Sequence, residues 1–218
     1  MANTLVIGDL HSPFIKKGYL QHCVKVSKKY NCKKIRCTGD ILDNHAQSFH
    51  TTDPDGYGAK EEFGKAIKAL KPWYKSFPLM NICIGNHDAI PKRKAFEGGL
   101  SSVWVKTMED IFHEQGFTGW KFAESWEEND ILYLHGLGGK AKQRMIKEGC
   151  SVVQGHYHTE SHITFHVTAK ERWFAMQVGC GIDNKAYSMA YAKHHPKPII
   201  SCGVILDDYT PIIETMRM

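Results

Sequence analysis

Thr4-Leu5-Val6-Ile7-Gly8-Asp9-Leu10-His11 is the stretch on which the reading of this chain turns. A short strand-forming run meets a glycine, and two cation-binding side chains follow it two positions apart. The same grammar returns along the chain. Lys34–Cys37 leads into Gly39-Asp40-Ile41-Leu42-Asp43, Leu79–Ile84 into Gly85-Asn86-His87-Asp88, and Ser151–Val153 into Gly155-His156-Tyr157-His158. His135, alone in Leu134-His135-Gly136, closes the run Ile131–Leu134. Any one of these would pass for a surface turn. In order, they place ligands at the carboxyl ends of strands, where open α/β sheets put their sites.

Between these stretches the pattern alternates. Lys17–Tyr30 has apolar residues at 20, 23, 24 and 26 and reads as an amphipathic helix. Asn44–Gly58 is polar, with Pro54-Asp55-Gly56 as turn chemistry, and reads as a loop. Ala59–Trp73 sets Phe63, Ala66, Ile67, Leu70 and Trp73 on one stripe, predicting a helix that stops near Pro72 and Pro78. Helices follow at Pro91–Phe96 and Ser102–Glu114. After Trp120 come strands at Ile131–Leu134, Ser151–Val153, His162–Thr168, Trp173–Val178 and Ile199–Leu206, with a helix at Lys140–Lys147. The fold class is α/β, with one domain over 1–218 and one sheet expected from each half.

Composition is ordinary for a globular chain, at 42% apolar and 23% charged residues. The formal charge of +5 fits an anionic ligand, but Lys65, Lys68 and Lys75 recur at helical spacing and read first as a solvated face. Seven cysteines without paired spacing argue for a reducing compartment, with Cys37, Cys83 and Cys202 as small hydrophobes in strands. The N-terminal residues carry no signal-peptide pattern and no run is long enough to span a bilayer, so the expected location is cytoplasmic, with no membrane partner.

Asp9 and His11 can converge from one loop. Asp40 has two oxygens and can bridge two cations, Asn86 offers a neutral carbonyl oxygen, and His135, His156 and His158 add imidazoles. This donor set suits Mn²⁺, Fe or Zn²⁺, while the lack of nearby cysteine pairs argues against a structural zinc. Two cations roughly 3.5–4 Å apart can hold a bridging hydroxide and clamp an in-line displacement, which points to phosphate-ester chemistry. His87 directly follows a ligand, faces the substrate side and is the candidate general acid. Asp43 is placed to orient and charge-stabilise it. His45 and His50, on the loop after the second motif, and Arg93, after the third, are candidates to hold substrate; a planar guanidinium suits phosphate oxygens. The remaining histidines, His22, His113, His162, His166, His194 and His195, read as ordinary surface or half-buried residues. Trp73, Trp104, Trp120, Trp126 and Trp173 read as core fillers.

These stretches resemble the calcineurin-like metallophosphoesterases, whose pattern is D-x-H, G-D-x-x-D, G-N-H-[DE], an isolated His and G-H-x-H. The likeness spans residues 9 to 158 with every element in order. It implies two mixed sheets packed face to face and flanked by helices, a four-layer sandwich. It also implies one metal on Asp9, His11, Asp40 and His158 and a second on Asp40, Asn86, His135 and His156, with His87 as acid and Asp43 as its partner. Divalent Mn²⁺ is the first expectation, with Fe, Zn, Ni or Co acceptable. Asp43–His50 followed by Asp53-Pro54-Asp55 also resembles members met in bacteriophages and their hosts, which would make the compartment a host cytoplasm. Two features point away from the serine/threonine protein phosphatases: Asn44 stands where they carry arginine, and the G-H-x-H is complete. The expected activity is a phosphomonoesterase on small, nucleotide-like substrates, using a metal-bridging hydroxide. A phosphodiesterase or nuclease of the Mre11 type, acting on nucleic acid, is the alternative; a protein phosphatase or a non-catalytic scaffold ranks below.

Overall fold

In β1 (Thr4–Ile7), Leu5 and Ile7 enter one apolar cluster while Val6 enters another. That two-residue period is the mark of a strand buried on both faces. The computed structural model describes residues 2–183, 185 and 197–217; His194 and His195 lie outside them. Beside β1 lie β2 (Lys34–Cys37), β3 (Met80–Cys83) and β4 (Trp120–Ala123), all parallel. On its other side, β10 (Ser201–Leu206) and β11 (Thr210–Thr215) run antiparallel, giving the order β11-β10-β1-β2-β3-β4. The second sheet holds β5 (Ser125–Glu128), β6 (Ile131–Leu134), β7 (Ser151–Gln154), β8 (His162–Val167) and β9 (Arg172–Gln177) in the order β5-β6-β7-β9-β8. Its inner three strands are parallel and its two edges antiparallel.

Three apolar clusters stack the layers. The largest packs α1 (Tyr19–Lys29), α2 (Ala59–Ser76) and α4 (Met108–Glu114) on the first sheet through Tyr19, Cys23, Leu70, Trp73 and Phe112. Val6, Ile131, Tyr133, Val153, Phe174 and Ile205 fill the space between the sheets. Ala141 and Met145 of α5 (Ala141–Glu148) cap the second sheet against Val152 and Ala175. The result is an α/β sandwich of two mixed sheets. A short α3 (Ile90–Glu97) follows the third ligand stretch.

Several elements depart from the reading above. The halves do not each own a sheet, because β10 and β11 return to pair beside β1 and β4 joins the first sheet too. α2 runs through Pro72 and ends at Ser76, just short of Pro78, the other expected stop. Pro72 and Lys68 are exposed, so water can serve the carbonyl that proline leaves unpaired, while Trp73 and Phe77 stay buried. The single helix expected over Ser102–Glu114 is a 3₁₀ turn at Ser102–Trp104 and then α4. Thr107 caps α4, accepting from the Asp110 N–H at 3.1 Å while the Asp110 carboxylate accepts from its own N–H. Trp73 and Trp120 are core residues, whereas Trp104 is 77% exposed.

Trp120 closes the largest cluster. It packs on Phe112 and Phe117 with ring centroids 5.7 and 4.9 Å away, and its indole N–H donates to the Phe77 carbonyl at 2.9 Å. Trp120→Ala is therefore expected to cost about 3–5 kcal/mol of folding stability, read as a lower urea midpoint.

Candidate metal centre

Every ligand stretch sits in a loop at the carboxyl end of β1, β2, β3, β6 or β7, strands that run parallel within their sheets. The loops are tied by their main chains. The Asp40 carbonyl accepts from the Leu10 and His11 N–H groups at 3.1 and 2.8 Å. The buried Asp88 carboxylate accepts from Gly85, Ile41 and Leu42, fastening the third loop to the second. The carboxylates press on glycines: a Cβ on Gly85 would overlap the Asp40 carboxylate, and one on Gly155 would overlap that of Asp9. His11, Asp40 and His156 adopt left-handed backbone with φ of 48°, 45° and 69°. Strain of this kind persists where surrounding structure enforces it, commonly at functional sites.

The side chains converge in overlapping groups. Asp9, His11 and His158 bring donor atoms within 4.8 Å of one another, as do Asp40, His135 and His156, and His11, Asp40 and His87. Asp40 joins them, its Oδ2 lying 3.6 Å from His11 Nε2 and 3.2 Å from His135 Nε2. Asn86 Oδ1 is 2.8 Å from His135 Nε2.

The tautomers test whether a cation fits. His135 Nδ1 faces the Thr38 carbonyl at 3.1 Å, so that nitrogen carries the hydrogen. Its Nε2 then presents a lone pair toward Asn86 Oδ1, Asp40 Oδ2 and His156 Nδ1, the last at 3.2 Å. His11 repeats the pattern: Nδ1 donates to Asp43 Oδ2 at 3.0 Å, and Nε2 looks at His158 Nε2, 3.2 Å away. With Asn86 Oδ1 and Asp40 Oδ2 both accepting at His135 Nε2, the cluster needs a proton or a cation among its acceptors. The donor set therefore fits divalent cations, with Asp43 and the Thr38 carbonyl holding the two rings in register.

The electrostatics agree. Burial depresses the pKa values of His11 and His156, favouring the neutral ring that ligation needs. Burial alone would raise Asp9 and Asp40, but His135 and the other imidazoles outweigh it and keep both carboxyls low. Burial would likewise lower His135, yet Asp40 and Asp9 push it up to about 10. In that site a proton meets the demand for positive charge that a metal would meet.

His87 Nδ1 is 2.6 Å from the Asp43 carbonyl and so carries a hydrogen, leaving Nε2 for a proton in transit. Burial opposes its charge, but Asp40, Asp43 and that carbonyl raise its pKa overall. Asp43 thus meets both rings: its main-chain oxygen takes His87 Nδ1, its Oδ2 accepts from His11 Nδ1, and its charge adds to the rise at His87. His87 also lies close enough to His11 and Asp40 to count among the possible donors.

The three substrate-side candidates are not equivalent. His45 is buried and its Nε2 accepts the Asp53 N–H at 3.2 Å, so it braces the loop. His50 and Arg93 are exposed, and the Arg93 guanidinium lies 4.7 Å from the Phe49 ring. Sequence reading missed three supports: Thr38, whose hydroxyl donates to Asp9 Oδ1 at 2.9 Å, the anchoring role of Asp88, and Glu62 on α2. Thr38 abuts a motif and was detectable; Glu62 belongs to none. Asp43→Asn should reverse the hydrogen bond to His11 Nδ1 and lower cation affinity about 10–100-fold by calorimetric titration, with the fold intact.

A family model described as calcineurin-like phosphoesterase matches residues 2–180. Among solved structures, a metallophosphoesterase from Sphaerobacter thermophilus superposes with a TM-score of 0.51 at 13% identity, covering 99% of this chain and 88% of that one. Vacuolar protein sorting 29 from Cryptosporidium parvum gives 0.48 at 12% identity, covering 99% and 96%. The phosphoesterase YfcE from E. coli gives 0.44 at 12% identity, covering 94% and 89%. Identities this low bear on fold alone. No curated protein matches the chain.

Proposed function

The chain belongs to the calcineurin-like phosphoesterase family, a family of metal-dependent phosphate-ester hydrolases, and on that premise we propose that it works with two divalent cations as a phosphomonoesterase on small, nucleotide-like substrates. Asp9, His11, Asp40 and His158 would hold one cation, and Asp40, Asn86, His135 and His156 the other. The observation that carries this reading is the position of Asp40 Oδ2 between His11 Nε2 and His135 Nε2, one from each donor group. When bound, such cations supply positive charge to phosphoryl oxygens and acidify water.

The chain's own residues account for the rest. As the P–O bond to the leaving group breaks, His87 Nε2 gives its proton to the departing oxygen, and water supplies the incoming oxygen. The Asp43 carbonyl keeps the other ring nitrogen protonated, which fixes Nε2 as the donor. Arg93 and His50, both exposed, are the candidates to meet the substrate phosphate. The described residues after His158 build β8, β9, β10 and β11 within the two sheets. Seven free cysteines fit a reducing compartment such as cytoplasm, and among the described residues no helix is long and apolar enough to cross a membrane.

The test is a panel of aryl mono- and diesters, nucleoside monophosphates, cyclic nucleotides and DNA, assayed with Mn²⁺ and after chelation. Monoester turnover that disappears with the metal is expected. Activity restricted to DNA would transfer the assignment to a nuclease, and a protein that binds no cation and turns over nothing would end it.

A further inference from the structure

We infer that Glu62 is a positioning residue for the proton donor: its buried carboxylate sets the turn that brings Asn44 and the Asp43 carbonyl onto His87. The inference rests on the reading of His87 as general acid. Glu62 stands in the first turn of α2, outside every ligand stretch, and is only 3% exposed. Carboxylates are rarely buried so far without a demanding partner. Here the partners are two main-chain donors: Oε1 accepts the His45 N–H and Oε2 the Ala46 N–H, each at 2.8 Å.

These N–H groups open a 3₁₀ turn, His45–Gln47, directly after Asn44. Gripping two successive donors fixes both the place and the tilt of the turn, which a single bond would leave free to pivot. From there the constraint has a short path to the ring. Asn44 is held in left-handed backbone with φ 52°, and its Nδ2 donates to the His87 carbonyl at 2.9 Å. One residue earlier, the Asp43 carbonyl takes His87 Nδ1 at 2.6 Å. Both contacts from this segment to His87, one to its main chain and one to its ring, therefore hang from the turn that Glu62 holds. A contribution to the helix N-terminus is the competing role, and Glu61 beside it already supplies an acidic group there.

The two roles separate kinetically. In the Mn²⁺-loaded protein, Glu62→Ala should lower kcat for phenyl phosphate about tenfold or more while changing turnover of 2,4-dinitrophenyl phosphate by less than about threefold, because only the poorer leaving group needs the acid. KM and metal content should hold. Glu62→Gln keeps one accepting oxygen and should recover part of the loss. In a His87→Ala background, removing Glu62 should cost less than about twofold, since coupled residues lose their effect together. Equal losses on both esters, or a Glu62→Ala effect that survives undiminished without His87, would overturn the inference. If Glu62→Ala does not fold, Glu62→Gln in the same two backgrounds decides by the same criteria. A wild type without ester turnover, or a His87→Ala protein indifferent to leaving group, removes the premise and the inference with it, and both are read before Glu62 is touched.

Discussion

On the two-cation proposal, Asp40→Asn is expected to strip the centre of both ions at once and to reduce turnover of an aryl phosphate by at least about 10³-fold. The substitution is nearly isosteric, so the loss reports charge and bridging rather than a cavity. The main-chain work of Asp40, accepting from Leu10 and His11, remains, and the loops should stay joined. What disappears is the one anionic group shared between the two donor sets. Each electrostatic contact taken from a developing charge is worth about 10²–10³-fold, and here two centres of charge are weakened together. Metal analysis should fall from two equivalents per chain to less than one. The wild type should gain about 2.7 kcal/mol of stability for each site filled at a hundred times its Kd, and the variant should lose most of that gain. A variant retaining both equivalents would show that Asp40 is not shared.

His87→Ala is expected to divide substrates rather than abolish activity. For esters with poor leaving groups the loss should be about 10²–10⁴-fold, the usual contribution of a well-placed general acid. For dinitrophenyl esters, whose leaving oxygen needs no proton, it should be close to none. Metal content must be measured beside the rates, because the ring lies among the possible donors with His11 and Asp40. Retained metal with a steeper dependence on leaving group would mark an acid; lost metal with a uniform fall would mark a ligand.

The donor residues were legible because each one leaves a short apolar strand, and a strand end fixes where a loop can point. What spacing could not reveal is which partner a side chain turns to. Asp43 lies three positions beyond Asp40 under either arrangement, and only the fold decides that its carboxylate meets His11 while its carbonyl meets His87. Glu62 was invisible for a related reason, since its partners are main-chain groups that leave no signature in sequence. Among strands, β5 is Ser-Trp-Glu-Glu, too polar to announce itself, and β11 contains Pro211, tolerated because that strand is an edge. Sheet membership was misread where it depended on distant pairing: nothing local to Ser201–Leu206 says that it belongs beside Thr4–Ile7.

That distant pairing orders events during synthesis. Until the ribosome has made β10, β1 has one bare flank, and the main-chain groups of Thr4 and Val6 that face away from β2 lack their strand partner. The loop beyond β1 is equally unfinished, because the Asp9 carbonyl takes the Gly181 N–H at 2.7 Å and Asp9 bridges Cys180. Nascent chains stalled at residue 179, before Cys180, Gly181 and β10, should thus be more protease-sensitive and retain less Mn²⁺ than chains released through residue 217. The first loop of the pocket is pinned only after every donor has been made.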